Sequence, residues 1–364
     1  MLGIYIHIPF CRRKCSYCNF YSLNYNKELE TKFFEALFKE INSIQTKKIL
    51  DTIYFGGGTP NIVNPSLIEK TIELIYKNFE IETNCEITLE ANPTASTKEN
   101  LLAYKKMGVN RISFGVQSFF DSELAKLERT HNKKTAIETI ENAISAGFKN
   151  ISIDLMVGIP LQTKNSLEKT LEIATSYEIT HISLYQLKVE KNTKLYYLPK
   201  NYFMKEDEVA DLYLFSCEFL EAKKFFQYEI SNFSKKNYES RHNLKYWTLE
   251  EYLGFGPSAH SLFKNKRFYH SDSLSQYLKN PIYTFKEPID LDFEWFILNL
   301  RLKKGVSIFK LKEKNFFNKD FSERIKILQK ENLVEKRDDI LKLTSKGMLL
   351  QNSIIFFLIR FFNM

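Results

Sequence analysis

From Gly3 to about residue 190, short apolar runs alternate with stretches of helical periodicity, the rhythm of successive parallel βα units. Six runs predict strands: Gly3 to Ile8, Thr52 to Phe55, Glu86 to Glu90, Arg111 to Val116, Asn150 to Met156 and His181 to Gln186. Between the first two, Leu29, Phe33, Leu37, Ile41 and Ile44 form one apolar stripe, which predicts an amphipathic helix over Glu28 to Ile44. Ser66 and Glu69 have the spacing of a capping box ahead of a helix from Thr71 to Phe79, and Ser166 to Tyr177 repeats the pattern. The connections Thr97 to Met107 and Thr135 to Ala146 read as helices by the same test. Gly108 and Gly147 follow them, as a helix C-terminus prefers. Six such units build either an open doubly wound sheet or part of a barrel, and both place ligands at the carboxyl ends of the strands.

Residues 190–290 are less regular and rich in Tyr and Phe, and their topology does not follow from pattern. From Phe293 the rhythm changes to a helix over Phe293 to Leu302, a helix near Glu323 to Glu331, a hairpin around Asp338–Asp339 and a closing segment from Ser345. Helices followed by a hairpin suggest a winged-helix-like module. The expected organisation is a core over 1–230, a connecting region over 231–290 and a basic accessory domain over 291–364. The apolar run Ile354 to Phe362 is too short to span a bilayer and is interrupted by Arg360. It is expected to be a last core helix or strand, with a peripheral membrane contact as the alternative.

Composition and charge sharpen this picture only locally. With 364 residues and 44% hydrophobic content, the chain can bury a large core. The net charge of +8 is concentrated, because residues 301–346 hold 14 Lys and Arg against seven Asp and Glu. That surface suits phosphates, anionic lipid or ligand carboxylates, but a solvated basic face is the commoner cause, and nucleic-acid binding is not expected. Five cysteines and no signal peptide point to a reducing, cytoplasmic setting.

The chemistry begins at Tyr5–Phe20, where Cys11, Cys15 and Cys18 are spaced C-x3-C-x2-C. Three thiolates on one loop can each hold one iron of a [4Fe-4S] cluster and leave the fourth iron open. A structural zinc site would need a fourth ligand, and His7 is the nearby candidate. The spacing resembles the signature of the radical S-adenosylmethionine (SAM) enzymes, down to the aromatic Tyr17 before the last cysteine. The resemblance implies a partial (βα)6 barrel, a cluster on Cys11, Cys15 and Cys18, and SAM chelating the open iron.

Other motifs fall at the strand ends. The second strand runs into Gly56-Gly57-Gly58-Thr59-Pro60, where glycines let a ligand approach the backbone. Glu90 ends the third strand, and Gln117, Arg129 and Asp154 supply an amide, a cation and an anion further on. Singly each could be a structural polar group or ion pair. Together they resemble the oxygen-independent coproporphyrinogen III oxidases and their relatives, whose intervals are met by Tyr5, Gly57, Gly58, Thr59, Glu90, Gln117, Arg129 and Asp154. The resemblance implies that these residues hold SAM, and in some relatives a second SAM molecule.

Two features separate the branches of that family. The oxidases carry a fourth cysteine two residues after the third, where this chain has Phe20. The run His242-Asn-Leu-Lys-Tyr-Trp247 is similar to the H-N-x-x-Y-W motif of the HemW-type haem chaperones. That resemblance implies a haem-binding His242, aromatic partners Tyr246 and Trp247, and propionate contacts from Arg241 or Lys245. His260 is a second candidate ligand, in a segment where relatives have Gly and this chain has Pro257 or Ser258. The implied function is a cytoplasmic haem chaperone binding [4Fe-4S], SAM and haem, with haem-accepting proteins and a cluster reductant as partners. The alternatives are the coproporphyrinogen oxidase itself and a basic winged-helix regulator with a cluster as sensor. Cys85 and Cys217 are expected in the core.

Overall fold

A computed structural model describes residues 1–359. Six parallel strands form its centre: β1 (Leu2–Ile8), β2 (Leu50–Gly57), β3 (Ile81–Ala91), β4 (Arg111–Gln117), β5 (Asn150–Val157) and β6 (His181–Gln186). Parallel strands covered on both faces usually read as continuous apolar runs. Here the residues alternate. Ile4, Ile6, Ile53, Phe55, Ile87, Leu89, Ile112, Phe114, Ile151, Ile153, Ile182 and Leu184 pack into the core shared with the helices. The opposite positions carry Tyr5, His7, Thr52, Tyr54, Glu86, Glu90, Arg111, Ser113, Asp154 and His181. The register aligns them across the sheet, pairing Tyr5 with Tyr54, Glu90 with Ser113, and Asp154 with Ser183. Hydrophobic burial thus fixes the outer face, and the concave face is left polar for chemistry.

The helices that cover the outer face are α1 (Lys27–Ser43), α2 (Pro65–Asn78), α3 (Lys98–Lys106), α4 (Asp121–Lys126), α5 (Lys133–Ser145) and α6 (Lys164–Ser176). The predicted stripe of α1 is realised, with Phe33, Leu37 and Ile41 fully buried. The capping box expected at Ser66 and Glu69 is not the start of α2. Asn64 caps it by accepting from the Ser66 N–H, with Pro65 in the first turn. Thr163 and Ser166 do form a capping box on α6. Gly108 and Gly147 take φ of 102° and 86°, the left-handed conformation that ends α3 and α5.

Residues 190–290, unassigned from pattern, extend the same sheet. After α7 (Glu206–Ala222), β7 (Phe226–Gln227) and β8 (Asn232–Ser234) add antiparallel strands beyond β6. α8 (Arg241–Thr248) leads to β9 (Tyr252–Phe255), which returns parallel to β1 on the opposite edge. β10 (His260–Phe263) and β11 (Lys266–Tyr269) then continue outward, followed by α9 (Leu274–Lys279) and the last strand, β12 (Phe285–Glu287). The order is β12-β11-β10-β9-β1-β2-β3-β4-β5-β6-β8-β7.

A second hydrophobic cluster holds the C-terminal module. α10 (Leu291–Asn299), β13 (Val306–Ser307), α11 (Ile308–Glu313) and α12 (Lys319–Lys330) precede the hairpin of β14 (Val334–Arg337) and β15 (Ile340–Leu343). β13 pairs with β15, which completes a three-stranded wing, and Asp338 turns the hairpin with φ 49°. α13 (Ser345–Leu349) and α14 (Gln351–Ile359) follow. The apolar run singled out at Ile354 is this last helix, with Ile354, Ile355 and Leu358 buried in the module's core. Residues 360–362 of that run lie outside the described residues. Among the described residues no helix is long and apolar enough to cross a membrane.

Candidate functional site

The carboxyl ends of β2 to β6 and the cysteine loop enclose a cavity of about 790 Å³. Cys11, Cys15 and Cys18 all line it, and all three are free thiols. Backbone pairing of Phe10–Cys11 with Leu23–Asn24 closes the loop on itself, and the Thr59 N–H ties it to the end of β2 by donating to Phe10 O. Thr59 Oγ1 donates to Cys11 Sγ at 3.4 Å, and Arg129 Nη1 donates to Cys15 Sγ at 3.3 Å. Burial pushes the Cys11 and Cys18 thiols up. Among the described residues no three His, Cys, Asp or Glu side chains converge as ligands of a single metal ion. Zinc needs such convergence, whereas thiolates on separate irons of a cubane stand further apart. Donor set and spacing therefore fit a cluster better than zinc.

Beside the cysteines the cavity wall carries Tyr17, Gly57, Gly58, Thr59, Glu90, Gln117, Arg129 and Asp154. Gly57 has φ 107°, and a Cβ there would lie 2.8 Å from the His7 ring; a Cβ on Gly58 would lie 2.6 Å from Phe10 O. Only glycine fits this close packing of the turn against His7 and Phe10. Tyr54 donates to Glu90 Oε1 at 2.7 Å, and Ser113 donates to Asp154 Oδ1 at 3.1 Å. Burial, reinforced by Asp154, pushes Glu90 up to about 7; burial also raises Asp154. Gln117 sits at φ 69° with its Oε1 buried and unpaired, and Arg129 Nε is likewise unpaired. Buried polar atoms without partners are costly, and here they edge a space that a polar ligand can fill. These residues suit SAM: a carboxylate for hydroxyls, an arginine and an amide for a carboxylate, and backbone groups for an ammonium.

Two of the expected site residues are not on this wall. Tyr5 lies one layer deeper, its hydroxyl 3.1 Å from His7 Nδ1. His242 is deeper still, at the amino ends of the strands. Its ring is 0% exposed, with Nδ1 2.8 Å from Thr52 Oγ1 and Nε2 2.8 Å from the Tyr246 hydroxyl. Burial, then Lys245 and Arg111, lowers its pKa to about 3. In this arrangement the imidazole has both nitrogens engaged on protein oxygens inside the packed sheet, away from the cavity. Its neighbours are also committed. Arg241 Nη2 pairs with Glu82 at 2.6 Å, Lys245 Nζ lies 2.8 Å from Asp51 and 3.0 Å from Glu250, and the Arg301 guanidinium covers the Trp247 ring. The H-N-x-x-Y-W run is the plug of the barrel base.

Pattern reading missed Tyr54, Ser113, Tyr185 and the segment Met348–Ser353, which roofs the cavity from the C-terminal module. Strand alternation was a usable signal for two of them. Tyr54 stands two residues before Gly56, and Ser113 two before Gly115. The roof had no local signal.

The radical SAM superfamily model matches residues 5–174, and the model of the HemN C-terminal domain matches 287–350. The chain is 35% identical to the heme chaperone HemW of Buchnera aphidicola subsp. Schizaphis graminum, over 97% of both chains. The chain belongs to the HemW family. Another member, from Bacillus subtilis, is 35% identical over 97% of this chain and 98% of that one. A solved structure titled coproporphyrinogen III oxidase (HemN) from Escherichia coli matches with a TM-score of 0.84, covering 98% of this chain and 89% of that chain at 20% identity. At that identity the likeness establishes the fold, a radical SAM α/β sheet with a C-terminal module. Membership of the HemW family accounts for the full span from the cysteine loop to the wing.

Proposed function

We propose that this protein is a haem chaperone that carries a [4Fe-4S] cluster on Cys11, Cys15 and Cys18, binds SAM beside it, and passes haem to acceptor proteins in the cytoplasm. The observation that carries the reading is the pairing of a three-thiol cavity with Phe20, 70% exposed at its mouth. The oxidases it resembles have a fourth cysteine at that position. Glu90 is proposed to accept from the SAM ribose, Gln117 and Arg129 to hold its carboxylate end, and the Gly57–Thr59 backbone to receive its ammonium. Asp154 and Tyr17 complete the wall, and Tyr5 supports it from below. When bound, a cluster with an open iron supplies a chelation point and an electron to SAM; the protein's own groups orient the ligand and exclude water. A reductant for the cluster and acceptors for the haem are the partners this function needs.

Glu90 gives a direct test of the SAM site. Glu90→Ala should weaken SAM binding by about 1.5–3 kcal/mol, the worth of a hydrogen bond to a charged group, while iron content holds. Because the carboxyl titrates near 7 in the free protein, its ionised form, the better acceptor, grows as pH rises through that value. Calorimetry should therefore find tighter SAM binding at pH 8 than at pH 6, with proton release at the lower pH. Unchanged affinity in the variant would return Glu90 to a structural role.

Chaperone and oxidase are separated by one pair of assays on the same anaerobically reconstituted sample. Haem titration should show stoichiometric binding. Coproporphyrinogen III with SAM and a reductant should not be converted. Clear turnover with no haem binding would reverse the reading.

A further inference from the structure

The chain has six histidines, and five are at most 5% exposed: His7, His131, His181, His242 and His270. Four of these hold a protein oxygen with one or both nitrogens in ways that fix the sheet or its neighbours, and His131 binds Val116 O. His260 alone is exposed, and neither of its ring nitrogens has a hydrogen-bond partner among the described residues. No histidine lines the large cavity.

His260 heads a row of aromatic side chains in register on three adjacent strands: His260 on β10, Tyr269 on β11 and Phe285 on β12. The imidazole and Tyr269 rings are 5.2 Å apart at 18°, and Tyr269 and Phe285 are 5.5 Å apart at 25°. Side chains stand roughly perpendicular to a sheet, so nearly parallel rings about one strand spacing apart stand side by side with their edges outward. Tyr283 closes the end of the row, edge-on to Phe285, and Ile282, Tyr283 and Phe285 are 59%, 58% and 36% exposed. Ser258 at φ 67° and Gly256 at φ 95° make the turn that delivers His260.

We propose that this row is the haem site, with His260 as axial ligand and the macrocycle lying across the edges of Tyr269 and Phe285. The inference rests on the chaperone reading above. An axial imidazole stands perpendicular to the porphyrin plane, which is the posture of His260 in the row. Ring edges meeting an aromatic face are a favoured contact. Arg267, the cation on the same face, is held by both Glu294 oxygens, so the propionates are left to solvent. A haem held by one ligand on an open shelf can be handed on.

The test is a titration of ferric haem b into the full chain, followed by the Soret band. The wild-type protein should give a histidine-ligated spectrum. His260→Ala should shift the band and weaken binding at least tenfold, with an unchanged melting temperature because the residue is on the surface. Imidazole added to His260→Gly should restore the band. Tyr269→Ala together with Phe285→Ala should weaken binding while the ligation spectrum holds. A wild-type protein that binds no haem would defeat the chaperone reading itself. Wild-type binding that His260→Ala leaves intact, in affinity and spectrum, would overturn this site and leave that reading standing. A folded His242→Gln variant that loses the histidine-ligated band would equally overturn it.

Discussion

Cys15→Ala is expected to strip most of the iron and sulfide from the reconstituted protein. Its thiol accepts a hydrogen bond from Arg129 and shares the cavity wall with only two other cysteines. In the proposed cluster each thiolate holds a different iron, so two remaining ligands cannot retain a cubane. Cys85 and Cys217 cannot substitute: both are buried away from the cavity, and burial pushes each thiol up to about 12. Iron and sulfide assays and the visible spectrum read the outcome. A variant that keeps about four irons per chain would mean that the loop is not the cluster site. SAM binding should fall with the cluster, since its chelation point is lost.

The second large effect is expected at the base of the barrel, where Lys245→Ala should lower folding stability by up to about 3–5 kcal/mol, the cost of breaking a buried ion pair, since Asp51 keeps only the longer contact to Arg241 at 3.5 Å. The Lys245 side chain is 2% exposed and faces Asp51, itself 10% exposed. Arg241→Ala should cost under about 1 kcal/mol, because its side chain is 39% exposed and solvent replaces its pairs. Urea denaturation followed by circular dichroism compares the two; equal losses would show that Lys245 is not a buried anchor. The same base carries a pH dependence. His242 has its pKa lowered to about 3 in the fold, below the unfolded value, so the unfolded chain binds the extra proton between those values. Its contribution is complete above about pH 6.5 and is lost as the pH falls toward 3.

These two expectations differ in how they become visible from residues alone. Cluster chemistry is local: three thiols within eight residues need only a short loop, and the spacing therefore carries the reading before any fold is known. The proposed SAM wall is legible one step further, because the strands follow from apolar runs and bring Glu90, Gln117 and Asp154 to one cavity. Arg129 reaches the same cavity from the loop after α4. The H-N-x-x-Y-W run has a local pattern too, but its meaning depends on what α8 packs against. The backbone N–H groups of Arg241 and His242 both donate to Glu86, and the His242 ring reaches Thr52. Those partners lie more than 150 residues away in the chain.

The sequence by itself determined the parallel βα rhythm, the amphipathic helices with their glycine stops, the cysteine loop and the residues at the strand ends. These are set by interactions between near neighbours or by side-chain period, and both are written along the chain. Only the tertiary structure decided the rest. It made residues 226–287 extensions of both edges of one sheet, engaged both nitrogens of the buried His242, and left His260 the one open imidazole. The physical reason is that strand pairing and ion pairing join residues far apart in sequence. Whether a histidine is a ligand or a strut is settled by what its two nitrogens meet, and no local pattern records that.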